Sequence, residues 1–93
     1  MPAIHSETIL SQLSSGERAV ILEVRVDGAA RRRLLDLGFI PGAEVEVVML
    51  SPWGDPTAYR IKGSQVALRE EDASKIFVKR IGSGIGRKDD EEN

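Results

Sequence analysis

A small, mainly β domain is what this sequence predicts: a partly open barrel of about five short strands with one inserted amphipathic α-helix. Three observations carry that prediction. Apolar and polar residues alternate in short runs bounded by Gly and Pro, as strands around one small core require. Only one stretch, Ala29 to Leu37, combines useful length with helical periodicity. The last twelve residues hold three glycines and a charged block and offer almost nothing to bury. The chain therefore divides into a barrel domain, 1–81, and a flexible Gly-rich and acidic tail, 82–93.

The elements follow in order. Thr8 to Leu13 is long enough for one helical turn that sets Ile9 beside Leu13, and Ser14-Ser15-Gly16 ends it. Ala19 to Val26 alternates with Val20, Leu22, Val24 and Val26 on one face, and Ala19 and Ile21 make the opposite face apolar at its start, so the strand is buried on both sides there. Asp27 suits an N-cap, and Ala30, Leu34 and Leu37 form a stripe that Leu35 widens. Gly38 ends the helix in the left-handed conformation that glycine adopts without steric cost. Pro41-Gly42 fits the centre of a type II turn. Ala43, Val45, Val47 and Met49 then line one face of a second strand.

Ser51 to Pro56 carries two prolines and a glycine and reads as a loop. Thr57, Tyr59 and Ile61 alternate with Ala58, Arg60 and Lys62, and Gly63-Ser64 offers a glycine-first hairpin turn into a strand from Gln65 to Arg69. Glu70 to Lys75 is one helical turn with acidic residues at its start, and Ile76 to Ile81 is the last strand.

At 93 residues one domain buries only about 60–65% of the surface its unfolded chain exposes, so the core has to be efficient. No run approaches the roughly 18 apolar residues of a membrane span, so no membrane insertion is expected, and Met1 to Glu7 lacks the regions of a signal peptide. Cysteine is absent, which removes thiolate chemistry. A cytoplasmic address is the resulting expectation. The formal charge is −2, but Arg87 to Glu92 hold two basic and four acidic residues, and residues 1–86 hold 11 of each. A neutral body is a poor start for phosphate contacts, so no nucleic acid is expected.

The order of a strand, a basic helix ending Leu34-Leu35-Asp36-Leu37-Gly38, then Phe39-Ile40-Pro41-Gly42, a Val-rich strand, Gly54-Asp55-Pro56 and Val66-Ala67-Leu68-Arg69 resembles the FeoA family over roughly Leu10 to Ile81. Its structural signature in this chain is Leu34, Leu37, Gly38, Pro41, Gly42, Gly54, Asp55 and Pro56. The resemblance implies an SH3-like barrel and a role as the small cytoplasmic accessory protein of ferrous iron uptake. The transporter of that system, FeoB, carries a GTP-binding domain. The same family fold occurs as the C-terminal domain of diphtheria-toxin-repressor-type regulators, whose DNA-binding and metal-binding domains have no counterpart in this sequence.

The chemistry-bearing residues point to binding, not to an enzyme. His5 is the sole histidine and with Glu7 falls short of a dedicated ligand set, so no metal site and no tightly bound cofactor is expected. Carboxylate oxygens leave weak or indirect contact with Fe²⁺ open. The lone histidine lies far from any rigid turn, so no nucleophile has a base. Gly82-Ser83-Gly84-Ile85-Gly86 looks like a phosphate loop but lacks the following Lys-Ser pair and helix. Arg31-Arg32-Arg33 is the most distinctive charge cluster, and at about 100° per residue its members fan apart around the helix. A solvated face whose aliphatic stems cover the core edge accounts for it. The functional reading has Arg31 and Arg32 meet an acidic partner surface, on the resemblance that of the FeoB transporter. Trp53, the one tryptophan, is either tucked onto the barrel or exposed as a partner anchor. The alternative is a small nucleic-acid-binding barrel using Arg31 to Arg33 with Arg60, Lys62 and Arg69. Edge strands leave pairing between copies open.

Overall fold

The computed structural model describes residues 7–50, 52 and 55–83. Six strands make one antiparallel sheet: β1 Glu7–Ile9, β2 Glu17–Val24, β3 Glu44–Met49, β4 Thr57–Ile61, β5 Ser64–Leu68 and β6 Ile76–Ser83. Their spatial order is β1-β6-β2-β3-β4-β5. Helix α1, Gly28–Leu37, joins β2 to β3, and the one-turn helix α2, Glu70–Ala73, joins β5 to β6. Ile21, Val45, Val47, Ile61, Ile76 and Val78 from the strands share one core with Leu10, Leu34 and Phe39. Burying each such Leu, Ile, Val or Phe contributes about 1.5–3 kcal/mol.

Among the described residues the strands number six where about five were expected, because the chain is already extended at Glu7. There β1 pairs with β6, Thr8 opposite Val78 and Ile9 opposite Phe77. A 3₁₀ turn, Leu10–Gln12, follows. Its three-residue period buries Leu10 with Leu13, not Ile9 with Leu13.

In β2 the expected alternation fails at Leu22, which is 40% exposed while Ala19, Ile21, Val24 and Val26 are buried. The pairing with β6 slips between Ile21 and Glu23. This β-bulge inserts one residue and moves the inward face from odd to even positions. Another slip, between Val47 and Met49 in the pairing of β3 with β4, leaves Met49 61% exposed instead of inside.

The hairpin turn is centred on Lys62-Gly63, one residue earlier than predicted. Ile61 pairs with Ser64, and both turn residues have positive φ, 50° and 82°. That is the type I′ geometry, whose twist matches the flanking strands. The last strand also passes the expected boundary at 81, and Ser83 pairs with Glu17. Residues 84–93 lie outside the described residues, as does His5.

Helix α1 ends as its sequence predicts. Gly38 has φ of 109°; the Phe39 N–H donates to the Leu34 carbonyl at 2.9 Å and the Gly38 N–H to the Leu35 carbonyl at 3.0 Å. These two bonds form a Schellman motif, and its hydrophobic contact joins the buried Leu34 and Phe39. The turn after it closes with the Ala43 N–H on the Ile40 carbonyl at 3.0 Å, with Gly42 at φ 93° as a type II turn requires. Gly42 N–H and Ala43 C=O then bond to Ile21, at 2.7 and 2.9 Å, which sews this turn onto β2.

Candidate functional site

Helix α1 is the most exposed element of the fold. Of its ten residues only Leu34 is fully buried; Leu37 and Leu35 are half-buried, and Ala30, expected in the apolar stripe, is exposed. Asp27 precedes the helix in extended conformation but its side chain makes no capping bond. Gly28, at φ 66°, makes the entry by a left-handed backbone step instead. What fixes the start of the helix is Arg31, whose Nη1 donates to the Val24 carbonyl at the end of β2, 2.7 Å away.

The helical angle turns Arg33 away from Arg31 and Arg32, which line one groove. Arg31 is thus a strut between α1 and β2. Arg32 borders a shallow groove of about 260 Å³ with Gly28, Arg31, Leu35 and Asp36. Arg33 looks onto a different groove, about 240 Å³, between α1 and the β4–β5 end, with Pro56, Ala67, Leu68, Arg69 and Asp72. Arg32, Arg33 and Arg69 are exposed, and none belongs to an ion pair among the described residues.

Elsewhere charge is neutralised across strands. Arg18 pairs with Glu44 at 2.8 Å, Arg60 with Glu46 at 3.1 Å and Arg80 with Glu17 at 3.1 Å. The Arg25 guanidinium stands 4.3 Å above the Phe77 ring and bonds Glu23 at 3.0 Å, which holds the Glu23 carboxyl below its usual range. The basic strand residues Arg60, Lys62 and Arg69 do not join the arginines of α1 into one face. Arg60 is ion-paired on β4, Lys62 sits in the hairpin turn, and only Arg69 reaches the groove of Arg33.

The signature residues act structurally. Leu34 and Leu37 dock the helix, while Gly38, Pro41 and Gly42 make the bends. Asp55 has a role that sequence reasoning missed: its Oδ1 accepts the Glu70 N–H at 2.8 Å and so caps α2 from fifteen residues away. A capping residue is ordinarily sought next to its helix, so no local pattern announces it. Pro56 follows in a cis peptide bond. Trp53 and Gly54 lie outside the described residues. Among the described residues no three His, Cys, Asp or Glu side chains gather as a metal would require, and no helix is long and apolar enough to cross a membrane.

The arrangement resembles known proteins closely. The FeoA domain family model matches residues 8–80. The Fe(2+) transport protein A/Fe(2+) transporter FeoB fusion protein of Porphyromonas gingivalis is 46% identical over 74 residues, 80% of this chain and 9% of the fusion protein. This chain thus spans about a tenth of that relative's length. The solution structure of FeoA from Chlorobium tepidum is 36% identical with a TM-score of 0.77, over 81% of this chain and 71% of that one. The zinc complex of FeoA from Stenotrophomonas maltophilia, an SH3 domain protein, is 33% identical with a TM-score of 0.69, over 77% and 89%. The fold extends to T. acidophilum IdeR, 17% identical with a TM-score of 0.72 over 82% and 35%, a likeness of fold alone. With a family match across every strand from β2 to β5 and an SH3-like barrel around one core, this chain belongs to the FeoA family of ferrous iron transport proteins.

Proposed function

We propose that this protein is a non-catalytic cytoplasmic accessory of ferrous iron uptake that binds a FeoB-type transporter and thereby regulates or assembles it. The observation that carries this reading is the fusion protein, in which a segment 46% identical to this chain is covalently joined to FeoB. Two domains fused in one organism are held at high effective concentration, a condition that favours partners which otherwise meet as separate chains. The exposed Arg32 beside Leu35 supplies a basic and apolar contact for an acidic partner surface. Iron in this reading is the transporter's cargo, and contact of Fe²⁺ with this chain is weak or indirect.

Calorimetric titration of the chain into the purified cytoplasmic GTP-binding domain of a FeoB-type transporter tests the proposal. Saturable binding is expected, weakened about tenfold by Arg32→Glu, or roughly 1.4 kcal/mol. A flat titration with the parent chain refutes it. Tight binding to duplex DNA that falls steeply with salt would favour the nucleic-acid reading instead.

A further inference from the structure

Strand β5 forms one edge of the sheet and carries neither charge nor proline, features that usually protect an edge. Its pairing with β4 fixes which backbone groups are free. Beside a two-residue turn Ile61 and Ser64 exchange both hydrogen bonds, and bonded pairs recur at every second residue: Tyr59 with Val66, then Thr57 with Leu68. The N–H and C=O groups of Gln65 and Ala67 therefore point away from β4. Among the described residues no other strand or turn bonds to them, and both residues are exposed.

This open edge runs into the groove of Arg33. Ala67 and Leu68 form part of the groove wall together with Arg69, the residue after the strand. Arg33 and Arg69 are exposed and belong to no ion pair among the described residues, and neither does Asp72, the carboxylate that lines the groove with them. Two guanidinium groups against one carboxylate leave the groove positive. Glu70 and Glu71 follow Arg69 in sequence but do not line it. Lys62, in the turn that precedes β5, is a further exposed cation without an ion pair among the described residues. Free backbone groups that lead to unanswered positive charge suit strand addition, in which main-chain bonds supply affinity and a side-chain pocket supplies selection.

We propose that β5 accepts an extended acidic segment of a partner protein as an added antiparallel strand, bonded to Gln65 and Ala67 and placing a carboxylate between Arg33 and Arg69. A segment antiparallel to β5 reaches Arg69 with its N-terminal end, so its acidic residues precede the paired ones. The carboxylate gains charge-assisted bonds that neither arginine makes to another side chain among the described residues. A second β5 is a poorer occupant, since Ser-Gln-Val-Ala-Leu has no carboxylate to offer. The inference does not rest on the transporter reading, whose Arg32 and Leu35 line the other groove.

The probe is the blocked peptide acetyl-Glu-Asp-Val-Thr-Val-Thr-amide, titrated into the ¹⁵N-labelled full chain at low salt. The amides of Gln65, Ala67, Arg69 and Arg33 should shift, with a Kd of about 1 mM. Arg33→Glu and Arg69→Glu should each weaken binding about tenfold, and the double variant should instead prefer the peptide with Lys-Lys in place of Glu-Asp. Methylating the backbone nitrogen of the first valine, opposite Ala67, should abolish binding by removing an N–H that the added strand donates to β5. That change lies on the probe, so it tests the ladder without touching the fold. The absence of shifts up to about 5 mM peptide overturns the proposal. So does binding that is indifferent to both arginine variants, or that survives the methylation. Binding that appears only once residues 84–93 are removed gives the groove to the acidic block Asp89 to Glu92 of the chain itself, and overturns it too.

Discussion

Gly38 and Lys62 meet where the end of α1 touches the β4–β5 hairpin: a Cβ at Gly38 would lie 3.1 Å from Lys62 Cγ and 3.7 Å from Ile61 Cγ1. The φ of 109° already excludes most side chains. Gly38→Ala is therefore expected to cost about 1–3 kcal/mol, from backbone strain and crowding together. Thermal unfolding checks it, with Tm falling about 4–8 °C for each kcal/mol.

The Asp55 cap predicts a graded series. Asp55→Ala removes the acceptor for the Glu70 N–H and should destabilise by about 1 kcal/mol, while Asp55→Asn keeps an acceptor and should recover most of the loss. Urea unfolding midpoints separate the two, and faster exchange of the Glu70 amide in the alanine variant places the effect at α2.

Neighbouring arginines should behave differently. Arg31→Ala withdraws a charged donor from the Val24 carbonyl and should cost about 1–2 kcal/mol of stability. Arg32→Ala should change stability by less than about 0.5 kcal/mol, since the side chain is exposed and makes no ion pair among the described residues. Melting both variants and titrating both against the transporter domain distinguishes strut from contact.

Tyr59 gives the fold an alkaline limit. Burial raises its hydroxyl from 10.0 to about 12, helped by the nearby Asp55 and Glu70 carboxylates and opposed by a hydrogen bond with Thr57. Below pH 10 both folded and unfolded chains hold this proton. Between pH 10 and about 12 the unfolded chain loses it while the folded one keeps it, so stability falls by about 2–3 kcal/mol in all. Tyr59→Phe should flatten that part of the stability profile, measured by unfolding between pH 9 and 12.

Much of this structure is legible in the sequence wherever the determinant is local. Gly38, Pro41 and Gly42 announce their turns because backbone sterics alone decide them, and Thr57, Tyr59 and Ile61 alternate because β4 is regular. Leu22 and Met49 mislead because a bulge belongs to a pair of strands and leaves no mark on either one. Glu7–Ile9 is too short to show a period and becomes a strand only through β6. At the candidate site, the fan of Arg31, Arg32 and Arg33 follows from helix geometry. The carbonyl that claims Arg31 and the groove that Arg33 shares with Arg69 depend on elements remote in sequence.

The thin docking of α1 carries a dynamic consequence. With one fully buried side chain, the helix is held mainly at its ends, by Arg31 on Val24 and by the Gly38-Phe39 closure. Such an element is expected to open before the barrel does, its amides exchanging faster than those of β2 and β6 in native-state hydrogen exchange. A partner bound at Arg32, as proposed, would then slow the exchange of these amides by holding the helix closed.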